Sequence, residues 1–288
     1  GGCVITNPAL PHTIATFSLP GIYTLKLEAN DGYHQASDTV EIRVDQTCSS
    51  PLANDALLWM KANGDGMDSF ATNDLHWLGT PAYAAGKVGD AFAFTGNNGW
   101  LESMPMNLSG TTALAFEGWF KDNANGLVDQ VLFEISPEGV LSSTSSLKLT
   151  TRTASNGVRY FEMYANFLDT AGVVRGNYSF SGTSSNPNAF PIGEFYHLSV
   201  SISKSAGVSF FVNGILVKNV AVPTNLVSLS LPANPILRLG GRNSAQVYPK
   251  LAVDELSMYP RILDASEILS IYQAGASGKC PPWAQSAV

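Results

Sequence analysis

The chain has 288 residues, enough for one large β domain or two small ones. Apolar residues make up 45% and charged residues only 14%, the composition of a folded chain with a weakly charged surface. The net charge of −7 argues against nucleic acid, which needs a basic patch, and no run of about 18 apolar residues is present to span a membrane.

Gly (26) and Pro (16), with many Ser, Thr and Asn residues, fit short strands joined by turns. The chain opens Gly1-Gly2-Cys3 and is read as a processed chain or a fragment. Residues 1–47 are β. Thr13-Ile14-Ala15-Thr16-Phe17 alternates, Pro20-Gly21 turns, and Tyr23, Leu25 and Leu27 share one face of the next strand. Asn30-Asp31-Gly32 supplies another turn. A last strand puts Val40, Ile42 and Val44 inward. The pattern Pro20-Gly21-x-Tyr23-x-Leu25-x-Leu27-x-Ala29-x-Asp31-Gly32, then Asp38-Thr39-Val40-x-Ile42-x-Val44, resembles the second half of a PKD-type Ig-like domain. It covers about three strands of a seven-strand sandwich. The exposed apolar face then implies truncation, packing on the next domain, or strands supplied by another chain.

Residues 45–55 read as a linker. Ala56-Leu57-Leu58-Trp59-Met60 is a short apolar strand entering the polar loop Asn63-Gly64-Asp65-Gly66-Met67-Asp68. Gly86-Lys87-Val88-Gly89 is a turn, Phe92-Ala93-Phe94 a strand, and Gly96 a turn before Trp100-Leu101. Strands follow over 113–120, 130–135, 146–151, 160–167 and 195–202. Asn213-Gly214, between two apolar runs, marks a hairpin. Residues 236–241 lead to a closing strand in which the adjacent Asp254 and Glu255 should point to opposite faces. Pro260 ends it. Asp264 then N-caps a short helix, with Glu267 reaching back and Ile268, Ile271 and Tyr272 as its apolar stripe.

Several of these signals together resemble the bacterial LamG-like (laminin-G-type, concanavalin A-like) jelly roll. They are the Trp59 strand with its acidic loop, the 86–89 turn, Phe92-Ala93-Phe94, and the Tyr196-His197-Leu198 strand before Asn213-Gly214. The closing Asp254-Glu255, Tyr259, Arg261 and Tyr272 complete the set. The likeness covers about residues 52–282, and Phe195 stands where the family usually has a tryptophan. It implies an all-β fold: a concanavalin A-like jelly-roll sandwich over residues 48–288 with a short C-terminal helix, preceded by a partial Ig-like β-sandwich over residues 1–47. Cys48 and Cys280 bracket the larger domain, whose ends should meet. A bridge between them would imply an oxidising compartment and contribute up to roughly 5 kcal/mol in the chain-entropy model. The alternative is three unrelated buried thiols. Cys3 is left over.

Hydrolases on this fold need two or three carboxylates at alternate positions of one strand. Glu134-Ile135-Ser136-Pro137-Glu138 has the wrong spacing, and Glu117 and Glu162 stand alone on their strands. No nucleophile elbow, zinc helix or Cys-x-x-Cys pair appears, and His12, His34, His76 and His197 are scattered. His197, inside an apolar strand, reads as a core residue, so catalysis is not expected.

Calcium is the expected cofactor. Asn63, Asp65 and Asp68 offer three oxygen-bearing side chains on a Gly-rich loop, without EF-hand spacing. The family resemblance adds Asp254 as their partner. For carbohydrate, stacking aromatics with amides or guanidinium nearby give Trp77, Trp100, Asn97, Asn98, Tyr178, Arg242, Asn243 and Tyr248 as candidates. Trp59 and Trp119 read as core. The expected function is a non-catalytic extracellular or cell-surface module for glycan or matrix adhesion. The alternatives are a spacer or self-assembling subunit completed by other copies or domains, and an accessory domain of a glycan-active enzyme.

Overall fold

The computed structural model describes residues 3–10, 12–17, 21–44, 55–70, 72–124, 129–137, 146–154, 159–182, 192–241 and 248–279. Cys48, Cys280, Arg242 and Asn243 lie outside the described residues, so the expected bridge and two expected ligand contacts do too. Cys3 is a free thiol. The chain divides into two units, Gly1–Ser49 and Ser50–Val288.

In the first unit β1 (Cys3–Ile5) pairs with β2 (Ala15–Phe17), and β3 (Gly21–Asn30) pairs with β4 (Gln35–Val44). The β3–β4 turn is closed by side chains: Asn30 Oδ1 accepts from the Gly32 amide at 2.7 Å, and Asp31 Oδ1 from the His34 amide at 2.7 Å. Tyr23 sits opposite Ile42 and Leu25 opposite Val40, as the alternation requires. The expectation that Val40 points into a core is corrected: it is 54% exposed and Leu27 is 73% exposed. A two-stranded ladder is one layer; among the described residues Phe17 of β2 packs on Tyr23 at one end of that face, with ring centroids 4.7 Å apart, while Leu27 and Val40 stay open.

The second unit opens with β5 (Leu58–Met60), β6 (Leu75–Gly79), β7 (Tyr83–Ala85), β8 (Asp90–Thr95) and β9 (Gly99–Ser103). Next come β10 (Ala113–Asp122), β11 (Gln130–Pro137), β12 (Leu147–Thr153), β13 (Arg159–Asp169) and β14 (Val174–Gly182). Then follow β15 (Phe195–Ser203), β16 (Gly207–Val212), β17 (Ile215–Val220), β18 (Leu226–Leu229), β19 (Pro235–Leu239), β20 (Lys250–Tyr259) and the helix α1 (Ala265–Ala274). The first sheet runs β17-β16-β15-β10-β20-β8-β7, with β5 also on β20. The second runs β14-β13-β12-β11-β19-β9-β6, with β18 on β13.

Period-2 alternation makes this a sandwich. Leu114, Phe116 and Phe120 of β10, Leu198, Val200 and Ile202 of β15, and Leu147 and Leu149 of β12 all enter one core. Phe116 and Phe133 stack between the sheets with ring centroids 4.1 Å apart. Truncating either ring would cost about 3–5 kcal/mol. Asn213 and Gly214 both take left-handed backbone, as the tightest hairpin between β16 and β17 requires.

The closing strand departs from its expected alternation. Between Trp119↔Asp254 and Glu117↔Ser257, β10 contributes one residue and β20 two. Glu255 takes φ 54, a left-handed conformation costing a bulky residue about 1–2 kcal/mol. Val253 and Leu256 both enter the core. Asp254 and Glu255 therefore both face outward on the same side of the first sheet, not on opposite faces. Asp264 caps α1 as expected, accepting the Glu267 amide at 2.8 Å. The Glu267 carboxylate turns to Arg261 instead of reaching back, and Arg261 also holds Asp55.

Candidate functional site

The outer face of the second sheet carries a polar row fixed by register. Tyr164 of β13 faces Lys148 of β12, Lys148 faces Glu134 of β11, Glu134 faces Arg238 of β19, and Arg238 faces Glu102 of β9. Their strand neighbours Met163, Leu149, Ile135, Leu237 and Leu101 are core residues, so the row points outward. At about 4.8 Å per strand, Tyr164 and Glu102 are about 19 Å apart.

The centre of the row is closed and its ends are open. Arg238 bridges two carboxylates, Glu134 through Nη1 and Glu102 through Nη2 at 2.6 Å. Glu134 and Arg238 are buried, and Glu102 is partly exposed. At one end the Trp100 indole donates to Glu102 Oε1 at 2.8 Å, and Tyr248 stacks parallel to Trp100 with centroids 6.0 Å apart. At the other end the Tyr164 hydroxyl donates to Glu162 Oε2 at 2.5 Å. Burial and Glu162 push that phenol up to about 12. Lys148 lies 5.0 Å over the Tyr164 ring, and Arg152 pairs with Asp129 at 3.1 Å and Glu162 at 3.3 Å. Each end thus offers a half-exposed aromatic beside charged hydrogen-bonding groups.

Of the expected ligand contacts, Trp100 and Tyr248 meet here. Trp77 and Tyr178 lie apart from the row: both are partly buried and pack against the core. Trp77 touches Tyr83, Phe92 and Phe94, and Tyr178 meets Phe167 edge-on at 6.3 Å. Asn98 is spent on its turn, accepting the Thr95 amide and donating to the Ala93 carbonyl at 2.9 Å each. Asn97 is exposed and bonds Thr95 Oγ1. Lys148, Arg152, Glu162, Tyr164, Glu102 and Arg238 were missed. Their alternate spacing along each strand was visible, but the pairing that assembles them was not.

The four expected calcium ligands divide into separate tasks. Asp68 closes its own loop, accepting the Trp59 amide at 2.8 Å and the Thr72 hydroxyl at 2.9 Å, and Asp65 accepts the Met67 amide. Asn63 and Asp254 grip the 86–89 turn from two sides. Asn63 Oδ1 accepts the Asp90 amide at 2.9 Å, and Asp254 Oδ2 accepts the Lys87 and Val88 amides at 2.7 and 2.8 Å. The turn needs glycine, because a Cβ on Gly89 would lie 2.3 Å from Asn63 Oδ1 and one on Gly86 2.6 Å from Asp254 Oδ2. Asp254 Oδ1 is buried with no hydrogen-bond partner. Among the described residues no three His, Cys, Asp or Glu side chains gather as a metal site.

The outer face of the first sheet holds a buried ionic cluster. Lys279, from beyond α1, donates to Glu117 Oε1 at 2.8 Å and to the Glu255 carbonyl at 2.7 Å. Glu117 Oε2 lies 3.0 Å from His197 Nε2, and the Trp59 indole donates to Glu255 Oε2 at 2.9 Å. Trp59 and Trp119 are thus buried on this outer face rather than between the sheets. Burial alone would raise the Glu117 carboxyl, but Lys279 and His197 bring it down to about 2. Burial pushes Asp254 up to about 7 against the pull of the Val88 amide, and the Glu255 charge adds to the rise.

A sequence profile of the concanavalin A-like lectin/glucanases superfamily matches residues 95–269, more than half the chain. The chain belongs to this superfamily. The chain resembles domain 4 of AbnA, a GH43 extracellular arabinanase from Geobacillus stearothermophilus solved with arabinotriose. The TM-score is 0.54 at 19% identity, over 75% of this chain and 98% of that one. The binding domain of botulinum neurotoxin DC, solved with rat synaptotagmin II, matches with TM-score 0.55 at 10% identity over 78% of this chain and 52% of that one. A botulinum neurotoxin type C structure, from work linking cell entry to two ganglioside molecules, matches with TM-score 0.52 at 10% identity over 77% and 52%. The chain therefore spans about half the length of the toxin chains it matches. At these identities the likeness establishes the fold. No curated protein matches the chain by sequence. No helix is long and apolar enough to cross a membrane.

Proposed function

We propose that the second unit is a non-catalytic carbohydrate-binding module of an extracellular or surface protein, serving adhesion to a glycan or matrix component. The glycan would lie on the outer face of the second sheet. The observation that carries this is the polar row with an open aromatic group at each end, Trp100–Tyr248 and Tyr164–Lys148. Half-exposed rings take the C–H faces of sugars, and the adjacent carboxylates and cations take hydroxyls. Arabinotriose in the arabinanase domain and gangliosides in the toxin study support a saccharide ligand on this fold. The non-catalytic reading is supported by Arg238, which bridges Glu102 and Glu134. Two carboxylates locked to one guanidinium are poorly placed to exchange protons with a glycoside.

A glycan array followed by calorimetry tests the reading. Trp100→Ala and Tyr164→Ala should each weaken binding by at least about 1 kcal/mol, about fivefold in Kd, with little change in melting temperature. Unchanged affinity in both variants, or hydrolysis of the bound glycan, would overturn it. The spacer reading rests on the exposed Leu27 and Val40 of the first unit, read as half of a PKD-type module. Self-association without glycan affinity would favour that alternative.

A further inference from the structure

A cavity of about 570 Å³ opens between the 107–112 loop, which follows β9, and the 228–234 segment, which leads from β18 to β19. It is separate from the polar row: neither Trp100, Tyr248, Tyr164 nor Lys148 lines it. Its floor is Leu108 and Leu229, each 5% exposed and part of the main core, so the floor is fixed. Its rim is preformed. Asn107 Oδ1 accepts the Ser109 amide at 3.0 Å, the Thr111 amide donates to the Leu108 carbonyl at 3.1 Å, and Asn234 holds left-handed backbone at φ 51. The polar lining is Asn107, Ser109, Thr111, Thr112, Ser228 and Asn234, with no ionisable side chain.

We propose that this cavity is a second ligand site, for a neutral saccharide. Its volume falls in the range of small-ligand sites, about 300–1,000 Å³. Four hydroxyls and two carboxamides each donate and accept, as sugar hydroxyls do. The leucine floor suits the apolar face of a sugar ring. A charged ligand would find no counterion among the lining residues and would bear an uncompensated desolvation cost. The site is independent of the outer face of the second sheet, so the chain would hold two separate points on a glycan or two glycans.

The test is amide chemical-shift titration of the whole chain with galactose, N-acetylglucosamine and arabinotriose, with glucuronate and glucosamine as charged counterparts. Saturable shifts should appear in residues 109–112 and 228–234 with a neutral sugar and be weaker with the charged ones. Ser228→Trp, which fills the cavity, should abolish them. Asn234→Gly keeps the backbone conformation and removes one carboxamide, so it should weaken binding about three- to tenfold, the worth of one hydrogen bond. Two outcomes overturn the proposal: no saturable shift in these segments with any neutral sugar, or binding that survives Ser228→Trp. Shifts confined to the Trp100 indole would overturn it while supporting the sheet-face reading. Shifts in the cavity without any at Trp100 would do the reverse.

Discussion

The outer faces of the two sheets begin from similar residues and end in different surroundings. Each carries carboxylates, a cation and aromatic rings at positions pointing away from the core. On the first sheet, Glu117, Glu255 and Lys279 are 3% exposed or less in their side chains and bond one another. On the second sheet, Arg238 and Glu134 are equally buried, but the row continues to half-exposed Trp100 and Tyr164. Residue type does not separate the faces; cover does. Under cover a charge must find its partner within the protein and becomes a structural tie. Beside solvent the same groups keep capacity for a ligand.

The largest expected effect breaks the covered face. Lys279→Met leaves Glu117 buried without its ammonium partner, which should cost about 3–5 kcal/mol in urea unfolding. Adding Glu117→Gln should recover part of the loss but not all of it, because Glu117 is then neutral while the buried Glu255 still lacks its Lys279 partner. Binding of any glycan on the other face should stay unchanged in the Lys279→Met protein below its melting temperature. Equal stability of wild type and Lys279→Met would mean that the covered face is not held by its charges, and the contrast between the faces would fail.

How far the sequence carried this picture depended on what kind of information each feature needs. Alternation and turn chemistry are local, so the strands, the Asn213-Gly214 hairpin and the Asp264 cap were legible. The polar row needs β11 beside β19, strands about a hundred residues apart, and no local pattern states that pairing. The packing of Trp77 was not legible because Leu75-His76-Trp77-Leu78 has apolar residues on both faces; Trp77 turned toward the core and Leu78 stayed 43% exposed. The bulge at Glu255 was hidden for another reason. Left-handed backbone is normally announced by Gly or Asn, and here a glutamate adopts it, held by Trp59 and Lys279.

A second, smaller effect sharpens the comparison by pH. Burial pushes the Asp254 carboxyl up to about 7 in the folded chain, against 3.8 for an exposed aspartate. Between those values the folded state holds a proton that the unfolded chain has lost. Its contribution to stability is therefore full below about pH 4 and disappears as pH rises through 7. Melting temperatures from pH 5 to 8 should fall with rising pH, and Asp254→Asn should flatten that slope. Glu117 acts in the opposite direction: held at about 2, its contribution is lost only as pH falls from about 4.5 toward 2. The same melts with calcium and with chelator test the calcium expected from the sequence. Asp254 Oδ1 is an uncommitted oxygen, and a rise with calcium that Asp254→Asn removes would establish binding there. A slope unchanged by Asp254→Asn would place the pH response elsewhere.

The smallest effect concerns the helix rather than the charges. Asp264 accepts the Glu267 amide at 2.8 Å and the Ser266 hydroxyl at 2.6 Å at the start of α1, whose Ile268 and Ile271 are buried. Asp264→Ala should cost about 1 kcal/mol, lowering the melting temperature by about 2–4 °C in a unit of this size. The effect should stay local, because Lys279 reaches Glu117 from beyond the helix and Arg261 still ties Glu267 to Asp55. If Asp264→Ala proved as damaging as Lys279→Met, the helix start and the ion cluster would be one cooperative element. Cover on the first sheet would then come from the helix as a whole, and the buried charges would be its consequence rather than its anchor.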